Sequence, residues 1–139
     1  MPLPNTSKRR EDPRWRSALG GDDARAAELG ADVAWTEIAD ALRDEAAIRE
    51  VALRALPYAG DRDGSLGALA AALDRPRGDE ASVADAIERV VTGDRRDAEV
   101  ASRDGARACA SSLLRVAEQG GRGGLDVARA QALARRVLE

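Results

Sequence analysis

Apolar residues recur at helical spacing between Trp35 and Leu56. Trp35, Ile38, Ala41 and Leu42 share one stripe, and Ile48, Val51, Ala52, Ala55 and Leu56 share a second. Side chains three or four residues apart lie over the same face of an α-helix, so each stripe predicts a short amphipathic helix. A polar turn from Asp44 to Ala46 separates the two, and Pro57, which has no amide donor, ends the second. Residues 37–57 therefore read as a helical hairpin with Arg49, Glu50 and Arg54 off its apolar face. Trp35, on a stripe with Ile38 and Leu42, is expected in the core rather than stacking on a ligand.

The same alternation continues on both sides. Upstream, Asp22 or Asp23 caps a helix that runs to Leu29 and is closed by Gly30, and Asp32 caps the helix of Trp35. Downstream, Asp63 or Ser65 caps a helix carrying Leu66, Leu69, Ala70 and Leu73, which ends at Asp74-Arg75-Pro76. Asp79 or Ser82 caps the next, with Val83, Ile87, Val90 and Val91 as its apolar face; Ser82 and Asp85 have capping-box spacing, and Thr92-Gly93 ends the helix. A long helix is expected from about Arg96 to Glu118, with Val100, Ala101, Gly105, Ala108, Cys109, Ser112, Leu113 and Val116 along its stripe. Glycine in mid-helix costs about 1 kcal/mol against alanine, so Gly105 marks close helix contact. Gly120 to Gly124 reads as a flexible hinge before a last helix, Leu125 to Leu138. No segment shows the alternating β-branched pattern of a strand, and the fold class is all-α.

With 139 residues there is material for one domain, assigned to residues 22–139. There is no Phe, so Leu, Val, Ile and Ala must build the core, and such small side chains let helices approach closely. Residues 1–21, broken by Pro2, Pro4 and Pro13 and rich in Lys8, Arg9, Arg10, Arg14 and Arg16, read as a basic, disordered arm, its end docked by Trp15 with Leu19. Over the whole chain, 22 basic and 25 acidic residues leave a net charge of −3, so a polyanion is not the default partner. The single cysteine, Cys109, excludes an intrachain disulfide. No secretory signal pattern and no apolar run of about 18 residues is present, so no membrane and a cytoplasmic location are expected.

Chemistry is constrained by what is missing. Without histidine there is no Ser-His or Cys-His activation and no His-ligated zinc. Cys109 lies between Ala108 and Ala110 on an apolar stripe, a core position. The carboxylate pairs Asp22/Asp23, Asp44/Glu45 and Asp79/Glu80 each fall beside a helix end, where capping explains them. Asp61 and Asp63 resemble the start of a calcium loop, but the glycine and glutamate such a loop needs at its sixth and twelfth positions are Leu66 and Ala72 here. Gly120-Gly121-Arg122-Gly123-Gly124 lacks the Lys-Ser/Thr ending of a phosphate loop. A non-enzyme with no cofactor, no metal and no catalytic residue is expected.

Taken as pairs, the helices repeat at roughly 35 to 40 residues, the range of helical solenoids. Residues 48–56, Ile-Arg-Glu-Val-Ala-Leu-Arg-Ala-Leu, resemble the second helix of a HEAT repeat, and Leu42-Arg43-Asp44-Glu45 resembles that family's acidic turn. Val83, Ile87, Val90 and Val91 keep a second repeat's apolar positions, with Ala84 where the repeat's Arg would stand, and a third unit matches in outline. The resemblance implies a short right-handed stack of three helical hairpins; a compact six-helix death-domain-like bundle is the alternative architecture. It implies that Asp44 and Arg49 begin an inter-repeat ladder that Ala84 interrupts. It also implies a non-catalytic protein–protein interaction module, an adaptor or subunit, whose second helices contact another protein. Arg49, Glu50, Arg54, Asp85, Glu88, Arg89, Gln131 and Arg135 are the candidate partner-binding residues. Nucleic acid, held by the basic arm and the arginine-rich helix faces, is the alternative partner.

Overall fold

A computed structural model describes residues 8–20, 22–93 and 103–139. Among them the regular structure is helical throughout: α1 (Pro13–Ala18), α2 (Asp23–Asp32), α3 (Trp35–Ala41), α4 (Ala46–Ala55), α5 (Arg62–Asp74), α6 (Glu80–Thr92), α7 (Asp104–Glu118) and α8 (Val127–Leu138), with 3₁₀ turns at Lys8–Glu11 and Leu56–Tyr58. The expected start of the long helix, with Val100 and Ala101, lies outside the described residues, as do residues 1–7.

Short polar side chains start several of these helices. Asp12, Asp22, Asp61 and Asp126 each accept a hydrogen bond from an amide of the first turn that follows, at Arg14, Ala24, Gly64 and Arg129. Such caps satisfy donors that the helix itself leaves without a partner. Some expected caps differ. Asp32 ends α2 instead of starting α3, and Asp61 caps α5 where Asp63 or Ser65 was expected. Because α6 begins at Glu80, Ser82 lies inside it and no capping box forms.

The helices close on an aliphatic core. Ile38, Ile48, Leu66, Leu69, Ile87, Leu113 and Val137 expose no surface, and neither do Ala41, Ala52, Ala55, Ala84 and Ala130 beside them. Helix α3 packs against α4 and α5, α5 against α6 and α7, and α7 against α8; α4 also meets α6, and α6 meets α8. At the other end α2 lies on α4, and α1 on α2. Gly30, expected to close α2, is inside it and buried, where a Cβ would overlap the Ala55 carbonyl. Gly105 lies in the first turn of α7 rather than mid-helix; a Cβ there would overlap the Asp63 carbonyl of α5. That contact puts the α7 N-terminus on the Asp63 carboxylate, which accepts from the amides of Gly105 at 3.0 Å and Ala106 at 3.1 Å. Thus Asp63 caps a helix, but one 42 residues away in the chain.

Two segments expected to be loose are built into the domain. Residues 8–20, read as part of a disordered arm, carry α1, and Trp15 exposes no surface. The Arg9 guanidinium stacks 5.6 Å from the Trp15 ring centroid and pairs with Asp44 at 2.8 Å and Asp40 at 2.9 Å. Burial opposes the charge of Arg9, but the hydrogen bonds to Asp44 and Asp40 outweigh it and raise its pKa. Arg10 pairs with Glu45. Residues 8–20 pack here because Asp40, near the end of α3, and Asp44 and Glu45, in the turn after it, supply the acidic partners of Arg9 and Arg10. The glycine segment 120–124 is likewise a formed turn and not a hinge: Arg122 and Leu125 exchange backbone hydrogen bonds, and the Gly123 carbonyl accepts from the Ala81 amide at 2.9 Å. Gly123 has φ +57°, and a Cβ would overlap the buried Glu80 carboxylate. Arg122 donates to Glu80 and to the Leu73 carbonyl, which ties this turn to the one between α5 and α6.

Candidate functional site

The eight residues expected on a partner-binding face separate in three dimensions. Arg49 is not on a face at all; it is 2% exposed. Its Nε and Nη2 donate to Asp79 at 2.7 and 2.9 Å, its Nη1 to the Leu42 carbonyl at 3.1 Å and its Nη2 to the Ala72 carbonyl at 3.3 Å. One guanidinium thereby joins the ends of α3 and α5 to the turn before α6. The helical stripe of α4 placed Arg49 off the apolar face, which was right about periodicity. It did not foresee that α5 and its turn cover that side.

Glu50 and Arg54 remain at the surface as an i, i+4 ion pair at 2.9 Å. Asp85 and Glu88 face α8, where Arg129 donates to both at 2.6 and 3.1 Å and Arg136 pairs with Glu88 at 3.6 Å. These carboxylates bind one helix of the chain to another. Arg89 is exposed. Gln131 and Arg135 come together on the outer side of α8.

That outer side forms a groove with α7, about 330 Å³ in volume, lined by Ala110, Leu114, Ala134 and Leu138 with Gln131 and Arg135. Leu114 and Leu138 are 45% and 46% exposed, two of the three large apolar side chains left at the surface among the described residues. They face outward for a local reason. Leu113 and Leu114 are adjacent, a helix turns 100° per residue, and Leu113 takes the core position. Leu138 lies on the last turn of α8, where Arg103 donates to its carbonyl at 2.8 Å. Leu114 was missed because the stripe of α7 was drawn through Leu113; the doubled leucine was the available signal.

A second cleft of about 250 Å³ opens between α3 and α5. Its floor is alanine (Ala39, Ala68, Ala71 and Ala72), and Arg43 and Arg75 line it. Neither of those arginines has a carboxylate partner among the described residues. In the sequence both read only as helix-end residues, in Leu42-Arg43-Asp44-Glu45 and Asp74-Arg75-Pro76.

The carboxylate pairs noted above are engaged structurally. Asp22 caps α2, Asp44 and Glu45 hold the arginines of the N-terminal segment, Asp79 holds Arg49, and Glu80 holds Arg122. No group of three or more metal-ligating side chains occurs among the described residues. Cys109 is fully buried, and burial pushes its thiol up to about 12. Among the described residues no helix is long and apolar enough to cross a membrane. Compared with family models, curated proteins and solved structures, the chain matches none of them.

Proposed function

We propose that the chain is a non-catalytic helical-repeat module that binds another protein, and that the α7–α8 groove is where it does so. The observation carrying this reading is that Leu114 and Leu138, half exposed on different helices, line one groove. Water-exposed leucines gathered on a concave surface are the ordinary mark of a protein-binding site, because a partner's apolar side chains remove both surfaces from water. Gln131 and Arg135 supply polar contacts beside them, and arginine is favoured at interfaces for its planar, multi-donor head.

The architecture we propose is three stacked hairpins of HEAT-like kind, α3/α4, α5/α6 and α7/α8. Its support is the neighbour order, in which first helices meet first helices and second helices meet second. In such a stack the outer face of an end hairpin needs polar residues or a partner. The nucleic-acid alternative draws less support. Arg9, Arg10 and Arg14, on which it relied, are paired with Asp40, Asp44, Glu45 and Asp12.

The test is site-specific photo-crosslinking in the native cell with benzoylphenylalanine at Gln131, and at exposed Ser17 on α1 as a control. A discrete adduct at Gln131, absent at Ser17 and abolished by L114E/L138E in a variant of unchanged helicity, is the expected result. Equal adducts at both positions, or adducts indifferent to the double substitution, would refute the reading.

A further inference from the structure

Most arginines among the described residues are committed to internal ion pairs or helix-end carbonyls, as Arg9, Arg49, Arg77, Arg122 and Arg129 illustrate. Arg43 and Arg75 are different. Arg43 lies two residues beyond the end of α3 and Arg75 one residue beyond the end of α5, and the two line the same cleft. Of the other charges lining that cleft, Asp40 shares Arg9 with Asp44, at 2.9 and 2.8 Å, and Arg49 pairs with Asp79 at 2.7 Å. Arg43 and Arg75 make no ion pair among the described residues, and the cleft, with three arginines and one aspartate in its lining, is net positive beside its alanine floor.

We propose that this α3–α5 cleft is a second binding site, for an acidic peptide segment of a protein partner in which aliphatic side chains alternate with carboxylates. The floor of Ala39, Ala68, Ala71 and Ala72 is shallow and apolar. It accepts a leucine-sized side chain, and Thr36, Asp40 and the arginines are the polar groups lining the cleft beside it. The arginines come from neighbouring helices, whose axes lie roughly 8–10 Å apart when packed. A peptide lying between them meets one guanidinium on each side, so it needs an acidic residue on both flanks of its apolar stripe. Each carboxylate can take a bidentate hydrogen bond from a planar guanidinium, and lysine would not reproduce that geometry. A cleft of 250 Å³ holds a few side chains and not a folded surface, which fits a short linear segment. This site is separate from the α7–α8 groove and stands or falls independently of it.

The experiment is fluorescence anisotropy with a fluorescein-labelled nonapeptide of repeating Glu-Leu-Glu, whose leucines at every third residue form one stripe, with glutamates on both sides, in the three-residue-per-turn polyproline II conformation. Titration with the intact protein is expected to saturate and to weaken as salt is raised. R43E/R75E is expected to lower affinity at least tenfold, and A71E, which places a carboxylate on the exposed edge of the floor, by a similar factor. R16E/R107E, altering two exposed arginines elsewhere, is expected to stay within twofold. No saturable binding, equal losses in R43E/R75E and R16E/R107E, or a duplex oligonucleotide that binds more tightly through Arg43 and Arg75 would each overturn the proposal. Circular dichroism of every variant separates a lost site from a lost fold.

Discussion

Replacing Arg49 by alanine tests whether this residue is a strut or a contact residue. The side chain is 3% exposed and that of its partner Asp79 is 30% exposed, so the pair lies between the fully buried and the surface case. Breaking a fully buried ion pair by removing one member costs about 3–5 kcal/mol, and exposure of Asp79 lets water recover part of that. The Leu42 and Ala72 carbonyls also lose their donor, at about 1 kcal/mol each where water cannot replace it. Together these give a loss of about 3 kcal/mol. For a domain of this size that corresponds to a fall in Tm of roughly 10 °C. Urea unfolding followed by circular dichroism measures it, with R54A as the control; the exposed Glu50 pair should contribute no more than about 0.5 kcal/mol. In R49A/D79A the stranded carboxylate is gone, and the double variant should be more stable than the sum of the single effects by about 1 kcal/mol. A loss below about 1 kcal/mol in R49A, or a double variant that is simply additive, would refute the account of Arg49 as the tie between α3, α5 and the α6 turn.

Further outcomes follow from the other tight contacts. G105A is expected to destabilise by about 1–3 kcal/mol, because a methyl group there must displace the α5 backbone, and D63A by about 1 kcal/mol through loss of the α7 cap; chemical denaturation reads both. Cys109 should resist a thiol reagent at pH 8 until the chain unfolds, since burial holds its pKa near 12 in place of 9.0. The folded pKa is the higher one, so the associated stability is complete below about pH 9 and is lost as pH rises towards 12. Alkaline unfolding should therefore be delayed in C109A relative to the parent, once the two are compared at matched stability near pH 7.

Helix positions were legible where local physics decides them. The stripes Ile48-Val51-Ala52-Ala55 and Val83-Ile87-Val90 are buried as their spacing required, because an isolated helix already sorts its faces by hydrophobicity. Asp22 as a cap, Pro57 ending α4 and Gly93 after α6 were legible for the same reason. Side chains whose partners lie far along the chain were not. Arg9 reads as part of a solvated arm until Asp40 and Asp44, over 30 residues on, turn towards it. The glycines 120–124 read as a hinge until Glu80 and Ala81 fix their turn, and Asp63 reads as a local cap until α7 arrives.

By itself, then, the sequence determined an all-helical chain, the faces each helix buries and a core of small aliphatic side chains, since these follow from periodicity and propensity within a few turns. Only the tertiary structure decided which polar residues are struts and which are free. It sent Arg49 inward, left Arg43 and Arg75 without carboxylate partners among the described residues, and brought Leu114 beside Leu138. A charged or apolar side chain takes its role from what the packing of other helices places against it, and no local pattern encodes that neighbour.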